Sequence, residues 1–387
     1  MKTRVLNVIT VIEDGGLERH VYYINRFRSS EDIEHKVVVL TSPNENDLSE
    51  KYKIQGIEIT YFGFQNKDLN FKAHLKNLVK IFRLAKYIKK NRIDVLHSHD
   101  FFPGFFSRIA AFVSFIIYFH KVKHIYITLH IVFFWLSGFH HKINRILGTI
   151  TTNVICLSYA ILNYSLKTDK LPRSKYVIIN TGIDTKQFVP EPALRSKYIE
   201  EFGLEQSDIV IGNIGVLSVR KGQIYLLKAF KSLIAEFPNI KLIIFGSERE
   251  HELEIRDELI DFISSHKLEE NVKIIKPRED INLIYNLFDV FVMPSITEGL
   301  SACSIEALLM KKICLFSDIE PFKELVEDRK NGFLFRNKSD DDLKDKLRYI
   351  LINIHKLDNI KENARISAEG KYDVRNMVEK YEQLYLK

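Results

Sequence analysis

Short apolar runs alternate with amphipathic segments of helical length along nearly all of this 387-residue chain. Before Pro190, strand-like runs occur at 4–12, 36–40, 57–61, 95–97, 124–128, 153–157 and 176–179. Helix-length patterns lie between them, near 16–29, 71–91, 103–119, 139–150 and 159–167. Beyond Pro190 the runs resume at 209–214, 241–245, 272–275, 290–293, 313–316 and 333–335. Apolar strands joined by helices are typical of parallel sheets covered on both faces, so two doubly wound α/β domains are predicted.

The boundary between the two domains is expected near Pro190, because Pro190 and Pro192 interrupt regular structure. The predicted divisions are an N-terminal domain at 1–190, a second domain at 191–370 and a terminal helical segment at 371–387. In doubly wound domains, ligands bind beyond the carboxyl ends of the strands. The loops that directly follow strands are therefore the places where chemistry is expected.

Charge is distributed unevenly between the two halves of the chain. Residues 1–190 contain 27 Lys and Arg against 15 Asp and Glu, whereas the remainder contains 30 against 35. The basic half is therefore expected to face an anionic partner. Nucleic acid, an anionic membrane and phosphorylated substrates are the candidates.

The three cysteines, Cys156, Cys303 and Cys314, are too few for a disulfide framework and lie among apolar neighbours. They indicate a reducing compartment, so a cytoplasmic location is expected. No Cys and His spacing suggests structural zinc. The longest apolar stretch, 109–119, has about half the length that a membrane span requires, so no transmembrane helix is predicted.

Glycines and histidines follow strands in the first half. Gly15 and Gly16 open a helix after the first strand, where free N–H groups suit an anion; an ordinary strand-to-helix turn explains them equally well. His99 and His130 each follow an apolar strand, where they would line a ligand site. His97 alternates inward and is predicted to be a packing residue.

In the second half, the strand at 209–214 leads through a glycine turn to Arg220, Lys221 and Gly222 at a helix start. Two cations there could hold a diphosphate, with Lys221 as a compact point charge. The pattern is not a Walker A loop, because GxxxxGK[ST] is absent. Two basic residues in a turn are often merely solvated, so this motif needs support from others.

The most informative constellation is SITEGLSACSIEAL at 295–308, with a helix expected to begin near Ser301. Glu298 and Glu306 are separated by a little over two helical turns. The backbone N–H groups of 299–301 would bind phosphate at the helix N-terminus, and a carboxylate would accept hydrogen bonds from ribose hydroxyls. The alternative interpretation has Glu298 capping the helix and Glu306 solvated.

Taken together, these motifs resemble those of the retaining GT-B glycosyltransferases of glycosyltransferase family 4. The resemblance covers nearly the whole chain, in the family's order, through Gly15-Gly16-Leu17-Glu18, His97-Ser98-His99, Thr128-Leu129-His130, Asn180-Thr181-Gly182-Ile183-Asp184, Lys221-Gly222, Glu298-x7-Glu306 and Asn331-Gly332-Phe333. It implies two Rossmann-like domains facing a central cleft, with the terminal helix crossing back to the first domain. It also implies a nucleotide sugar held mainly by the second domain.

The resemblance further implies roles for individual residues. Glu306 would bind the ribose hydroxyls, and Lys221 the diphosphate. Glu298 would lie against the transferred sugar and His130 close to the reacting centre, so Lys221, Glu298 and His130 are the predicted catalytic residues. His99 is assigned to the acceptor side. The other residues implied in donor binding are Gly16, Arg278, Gly299, Leu300 and Ser301.

Two positions depart from the family pattern. The family usually has an arginine directly after the glycine that ends the first strand of the second domain, where this chain has Val216. That arginine helps the lysine to offset leaving-group charge, and we hypothesise that Arg220 replaces it. Ser247-Glu248 stands where the family's fingerprint has a second glycine after Gly246.

The implied reaction is transfer with retention of anomeric configuration, without a metal, a cofactor or an enzyme nucleophile. Asp340-Asp341-Asp342 is predicted to cap a helix and not to bind metal. A UDP-sugar is the expected donor, and its hexosyl or N-acetylhexosaminyl group would go to a saccharide or lipid-linked acceptor in cell-surface polysaccharide or glycolipid synthesis. Two alternatives stay open: a non-catalytic nucleotide-sugar-binding partner subunit, suggested by Val216, and a sugar-nucleotide epimerase of the same architecture.

Residues 101–147 combine many Phe, Ile and Tyr with the basic residues Arg108, Lys121, Lys123, Lys142 and Arg145. This composition favours peripheral binding of the N-terminal domain to an anionic surface, the inner face of the cell membrane. The alternative is a set of buried helices with solvated charges. Nucleic-acid binding is not predicted, because the aromatic residues are embedded in apolar strings and no known binding motif is present.

Overall fold

The computed structural model describes residues 2–13, 15–43, 47, 49–64, 71–132, 136–247 and 253–387. Asp14, Glu248 and, within the aromatic-rich stretch, residues 133–135 lie outside the described residues. The chain divides into two compact units, Met1–Gly182 with Val374–Lys387, and Ile183–Asp373. The divisions expected at 190 and 370 lie close to these limits.

The first unit is a doubly wound parallel sheet. Its described strands are β1 (Thr3–Ile9), β2 (Ile33–Val39), β3 (Glu58–Tyr61), β4 (Val95–His99), β5 (His124–Leu129), β6 (Asn153–Cys156) and β7 (Tyr176–Ile178). They are ordered β3-β2-β1-β4-β5-β6-β7 and pair in parallel, as the apolar runs predicted. The strand order reverses between β1 and β4, which is where ligands of such sheets bind.

Helices cover both faces of this sheet. They are α1 (Gly16–Arg26), α2 (Ser49–Ile54), α3 (Phe71–Lys90), α4 (Phe101–Tyr118), α5 (Gly138–Gly148), α6 (Tyr159–Thr168) and the terminal α15 (Val374–Tyr385). On one face, α3 and α4 pack through Leu84, Ile88, Ala110 and Ala111 onto Leu6, Val8 and Leu96. On the other face, α1 and α15 pack through Ile24, Val378 and Tyr381 onto Val5, Val95 and Ile155.

Helix α4 begins at Phe101, two residues before the helix predicted at 103–119, and ends at Tyr118. It is longer than the apolar stretch at 109–119, from which no membrane span was predicted, and its 18 residues have a mean hydropathy of 1.6. Among the described helices, it alone is long and apolar enough to cross a membrane by length and composition. The core helix of a soluble protein can pass the same test. Gly104, Ser107 and Ala111 on one side of α4 are buried, so the helix is part of the domain's packing.

The second unit repeats the same architecture. Its described strands are β8 (Ile209–Ile214), β9 (Ile240–Phe245), β10 (Val272–Ile275), β11 (Val290–Met293), β12 (Ile313–Ser317) and β13 (Phe333–Phe335). They form a parallel sheet in the order β10-β9-β8-β11-β12-β13, with the reversal between β8 and β11. The second switch point therefore lies beside the loops that carry the cation pair and the two glutamates.

The helices of the second unit are α7 (Leu194–Glu201), α8 (Gln223–Leu233), α9 (Leu253–Ser265), α10 (Ile281–Ile284), α11 (Ala302–Leu309), α12 (Glu320–Lys323), α13 (Asp340–Asn353) and α14 (Asp358–Glu369). Its main core joins α8 and α13 to the sheet through side chains such as Leu226, Phe230, Leu242, Val292 and Leu347. Ser339 caps α13 by accepting a hydrogen bond from the N–H of Asp342. The triple aspartate is therefore the first turn of that helix, and the capping side chain is the serine before it.

Candidate functional site

The loops after β8 and β11 form the candidate donor site of the second unit. The first runs from Gly215 to the 3₁₀ turn Val219–Lys221, directly before α8. The second runs from 294 to 301, directly before α11. Because β8 and β11 are neighbours in the sheet, both loops leave it at adjacent positions of the same edge. Parallel pairing thus brings together two motifs that are far apart in the sequence.

Gly222 allows the two loops to pack closely against each other. Its φ of +67° lies in the left-handed region, and a Cβ atom there would stand 2.2 Å from the carbonyl oxygen of Pro294. The amide of Ile296 donates to the carbonyl oxygen of Arg220 at 2.8 Å. A side chain at position 222 would therefore be strained and would push the loops apart, so the glycine is required by close backbone approach.

Glu298 lies between both cations of the first loop. Its Oε1 is 2.7 Å from Nζ of Lys221, and its Oε2 is 2.9 Å from Nη1 of Arg220. The hydroxyl of Ser295 donates to Oε1 at 2.8 Å. Only 6% of Glu298 is exposed. This arrangement contradicts the alternative in which Arg220 and Lys221 are merely solvated, and the one in which Glu298 caps the helix.

The ion pairs keep Glu298 charged. Burial by itself would raise the pKa of this carboxyl, but the charges of Lys221 and Arg220, together with hydrogen bonds from Lys221 and Ser295, lower the pKa to about 2. The site therefore contains a buried carboxylate and two cations at the carboxyl edge of the sheet. Such a group of charges can orient a polar substrate and offset an anionic leaving group.

Helix α11 begins where the sequence indicated, and Ser301 is its cap. The hydroxyl of Ser301 accepts from the N–H of Ser304. Glu306, one turn further along the helix, is 1% exposed, and its Oε2 accepts a hydrogen bond of 2.8 Å from the hydroxyl of Tyr285. The alternative of a solvated Glu306 is therefore wrong. Leu300 is buried as well, so the segment of Gly299, Leu300 and Ser301 is held in place by packing.

Lys221 lies against the glycine that ends β8. A Cβ atom at Gly215 would approach Cε of Lys221 to 3.2 Å, so the absence of a side chain makes room for the lysine stem. Val216, the position of the missing arginine, presents its carbonyl oxygen to Nε2 of Gln223 at 3.0 Å. Arg220, which we considered as a replacement, is joined to Glu298 and also donates to the carbonyl oxygen of Thr297 at 3.1 Å.

Arg278 lies in the loop after β10 and is held by two acids. Its guanidinium binds Asp280 through two hydrogen bonds of 2.8 and 2.9 Å and also pairs with Glu201. These partners raise the pKa of Arg278 above its ordinary value. Tyr198 donates to the same Asp280 at 3.0 Å. The loop is therefore fixed by charge-assisted hydrogen bonds, and the chain continues from it into α10 and Tyr285, the partner of Glu306.

In the first unit, the histidines follow adjacent strands and touch each other. Nδ1 of His99, at the end of β4, is 3.1 Å from Nε2 of His130, just after β5. His99 also reaches Oδ1 of Asn7 on β1 at 3.5 Å. His99 is fully buried and His130 is 8% exposed. His99 is therefore placed to position His130, in contrast to the expected contact with an acceptor. Gly16, the first residue of α1, is exposed, and no atom would crowd a Cβ there.

The histidine pair belongs to a larger buried network that the sequence did not reveal. The rings of His20 and His130 lie 4.9 Å apart in an edge-on contact. His97, predicted to be packing, is fully buried and is bonded to the hydroxyls of Tyr385 at 2.6 Å and Thr128 at 2.8 Å. Burial and, secondarily, the neighbouring histidines lower the pKa values of His97 and His130 far below the ordinary value. These imidazoles are therefore neutral at physiological pH.

Asp100 is a further residue that sequence reasoning left without a role. Its carboxylate Oδ1 accepts a 2.7 Å hydrogen bond from the backbone N–H of His130, and its own N–H donates to the carbonyl oxygen of Thr128 at 2.8 Å. Its φ of +71° is unusual for a residue other than glycine, and such strain is concentrated at functional sites. Asp100 therefore fixes the end of β5 and the position of His130. The only sequence signal was an acid directly after His99.

With His130 in its predicted role at the reacting centre, replacing Asp100 with alanine should lower kcat at least about tenfold with little change in donor KM, because His130 loses the anchor of its backbone. Asp100→Asn should retain most of the activity, since an amide oxygen can accept the same N–H and asparagine tolerates positive φ. Steady-state kinetics of both variants measure the difference. Asp94→Ala, at the opposite end of β4, is the matched control. Equal losses in Asp100→Ala and Asp100→Asn would contradict the positioning role.

Within the described parts of the chain, no group of three or more His, Cys, Asp or Glu side chains is arranged to hold a metal ion. The cysteines Cys156, Cys303 and Cys314 are free thiols.

Comparison with known proteins identifies the class of this fold and site. Residues 14–187 match the family Glycosyltransferase Family 4, and residues 195–367 match the family Glycosyl transferases group 1. The chain therefore carries these two glycosyltransferase domains, and its fold is that of the GT-B glycosyltransferases. The expected fold and enzyme class are confirmed.

Individual relatives cover most of the chain at low identity. The UDP-Gal:alpha-D-GlcNAc-diphosphoundecaprenol alpha-1,3-galactosyltransferase of Escherichia coli is 26% identical over 81% of this chain and 80% of its own length. The capsular polysaccharide biosynthesis glycosyltransferase CapM of Staphylococcus aureus is 23% identical over 85% of both chains. The structure of Anabaena Alr3699/HepE in complex with UDP and glucose superposes with a TM-score of 0.86, covering 99% of both chains at 20% identity.

Proposed function

We propose that this glycosyltransferase is metal-independent and retaining, and that it transfers a hexosyl or N-acetylhexosaminyl group from a UDP-sugar to a saccharide or lipid-linked acceptor. The observation that most directly supports this proposal is that Glu298, a buried carboxylate, forms ion pairs with both Lys221 and Arg220 at the switch point of the second sheet. The Escherichia coli relative is named for UDP-Gal and a diphosphoundecaprenol-linked sugar, and CapM is named for capsular polysaccharide biosynthesis. These names, and the HepE complexes with UDP and UDP-glucose, support this choice of donor and acceptor class.

Different residues of the second unit would bind different parts of the donor. Glu306, buried on α11, would accept hydrogen bonds from the ribose hydroxyls. The N–H groups of Gly299, Leu300 and Ser301 at the helix N-terminus would bind the diphosphate, whose charge Lys221 offsets. The carbonyl and amide groups beside Arg278 would border the base. Glu298 would accept from sugar hydroxyls while keeping both cations in place.

The proposed reaction requires no enzyme nucleophile. The bond between the anomeric carbon and the diphosphate breaks, and the diphosphate leaves with the electron pair. The acceptor hydroxyl attacks from the same face and gives its proton to the departing phosphate oxygen. Lys221 and the helix-end amides lower the energy of the charge that develops on the leaving group. Neutral His130 would hydrogen-bond to the reacting sugar without adding positive charge beside it.

The experiment is a thermal-shift screen over nucleotide sugars, followed by turnover on lipid-linked saccharides. We expect UDP-sugars to raise Tm and the product to have the donor's anomeric configuration by proton NMR. A strong chelator should leave turnover unchanged. Loss of turnover with chelator would overturn the metal-free reaction, and an inverted product would overturn retention. Binding without turnover would favour the partner-subunit alternative, and an epimerised free donor would reveal an epimerase.

A further inference from the structure

The outward surface of the helix layer α3–α4–α5 is unusually apolar. On α4 and just beyond it, Phe102, Phe112, Phe115, Ile116, Ile117 and Phe119 are between 47% and 87% exposed. Leu78, Val79 and Phe82 on α3 are exposed as well, and so are Phe139 and Ile146 on α5. Isolated exposed hydrophobic residues are ordinary, but a contiguous group marks an interaction surface. We call these eleven residues, with the basic residues described next, the outer helix face.

The chain segment that contains this face accounts for the net positive charge of the basic half. Residues 71–168 contain fourteen Lys and Arg but only two acids, Asp94 and Asp100. One of these, Asp94, is paired with Lys123 at 2.8 Å, and the other anchors His130. The exposed basic residues at and around the apolar positions are Arg83, Lys86, Lys89, Lys90, Lys121, Lys142 and Arg145. The excess of basic residues in the first half therefore comes from the segment that contains α3, α4 and α5, and seven of its fourteen cations are exposed on or beside these helices.

The two helices α3 and α4 present this face in a common direction. Both pack on the same side of the sheet, in one core cluster with Leu6, Val8 and Leu96. Their exposed sides must then point away from the sheet together. The exposed apolar residues of α4 are Phe102 in its first turn and Phe112, Phe115, Ile116 and Ile117 in its last two turns, with Phe119 directly after the helix. A hollow lined by Phe115, Ile116, Phe119 and Lys121 opens on it.

The buried side of α4 shows that the helix lies on the domain and does not leave it. Arg108 is 2% exposed, and its guanidinium donates to the carbonyl oxygen of Gly104 at 2.7 Å and to Asn144 of α5 at 2.8 Å. Of the 18-residue window, 44% is buried against the protein. Withdrawing α4 to span a bilayer would expose the core and place the charge of Arg108 in hydrocarbon without its partner Asn144. The helix is suited to lie in an interface, with one side in protein.

We propose that the outer helix face docks the enzyme on the surface of an anionic lipid bilayer. The phenylalanine and isoleucine side chains enter the headgroup region, and the surrounding Lys and Arg side chains contact lipid phosphates. Apolar burial and charge attraction act together here, because α3, α4 and α5 contain no Asp or Glu. Asp169, whose carbonyl oxygen accepts from Arg145, is itself buried and bonded to His141. The proposal is independent of the donor and of the reaction.

The test is flotation of the purified full chain with vesicles in a density gradient, at low and high salt. Vesicles of equimolar phosphatidylglycerol and phosphatidylcholine should carry the protein upward, and pure phosphatidylcholine should carry much less. Raising the salt should weaken binding, because screening reduces the charge attraction. Failure to float with the anionic vesicles at low salt would overturn the proposal.

Two pairs of variants locate the surface. Phe115→Ser with Ile116→Ser should reduce binding at least about tenfold, whereas Ile352→Ser with Ile366→Ser, exposed residues of the second unit, should not. Lys86→Glu with Lys89→Glu should likewise reduce binding at least about tenfold. Its control, Arg28→Glu with Lys380→Glu, makes the same change in net charge on exposed residues that belong to neither α3, α4 nor α5. All four double variants change exposed side chains, and a Tm near wild type shows that each is folded.

The same variants distinguish other occupants of the face. If the Phe115/Ile116 variant converted a dimer into a monomer by light scattering and kept full vesicle binding, the face would be a contact between two copies, and the proposal would be wrong. Resistance of vesicle-bound protein to alkaline carbonate extraction would show that α4 is inserted across the bilayer, which also contradicts it. Release by carbonate together with loss of binding in the face variants supports docking.

Discussion

Replacing Lys221 with alanine should lower kcat by about two to three orders of magnitude. The Lys221 ammonium group is the cation closest to Glu298, at 2.7 Å, and its stem lies across Gly215 at the carboxyl edge of β8. Removing it leaves the charge that develops on the departing diphosphate without its main side-chain partner. The measurement is the rate of UDP release from the donor that gives the largest Tm increase.

Two variants control this experiment. Lys228→Ala removes an exposed lysine from α8, so its kcat should stay near wild type. Arg220→Ala should reduce kcat less than Lys221→Ala, since Arg220 is the more exposed of the two cations. Unchanged turnover and donor affinity in Arg220→Ala would remove our hypothesis that this residue replaces the arginine missing at Val216. Near-normal turnover in a folded Lys221→Ala variant would contradict the proposed site.

Replacing Glu298 with glutamine should destabilise the second unit by about 3 kcal/mol at pH 7. The folded-state pKa of this carboxyl is about 2, against an ordinary value of 4.5. A lowered folded pKa stabilises the protein above the unfolded pKa, and that stability is lost as pH falls through the folded pKa. The free-energy difference between wild type and variant should therefore be largest above about pH 5 and fall to less than half at pH 3.

Urea unfolding at a series of pH values measures this difference. Glu320→Gln is the matched control, because Glu320 forms an exposed i,i+3 pair with Lys323 at 3.0 Å. Exposed pairs contribute little, so its unfolding free energy should follow wild type at every pH. A Glu298→Gln variant as stable as wild type at pH 7 would show that the carboxylate is not held by its two cations in solution. Its turnover should also fall, since the sugar loses a charged acceptor.

The sequence predicted the α/β class and most of the described strands because their apolar runs are continuous. The strands at 209–214, 272–275, 290–293 and 333–335 have the expected limits. Boundaries were less accurate where polar residues occupy a buried strand, as with Ser98 and His99 at the end of β4. The predicted helix at 103–119 began at Pro103, two residues after the start of α4; proline is tolerated throughout a first helical turn, so Pro103 does not mark the first residue.

The glutamate pair shows what spacing can and cannot reveal. The interval between Glu298 and Glu306 indicated a loop and a helix, and Ser301 marked the helix start. Nothing local indicated that Glu298 would be paired with Arg220, which is 78 positions away. The local sequence also gave no indication that Glu306 would accept a hydrogen bond from Tyr285. Such contacts depend on which strands become neighbours, and strand order is a property of the whole sheet.

By itself, the sequence determined two parallel-sheet domains, the loops that carry the chemistry and the uneven charge of the halves, because these follow from periodicity, glycine positions and composition. Only the tertiary structure determined which charges are paired, which histidines are buried and which side of the basic half is exposed. The parallel sheets place Lys221 beside Glu298 and His99 beside His130. Packing α3 and α4 on one side of the first sheet turns their remaining apolar and basic side chains outward. Burial and pairing are set by contacts between distant segments, and local sequence does not encode those contacts.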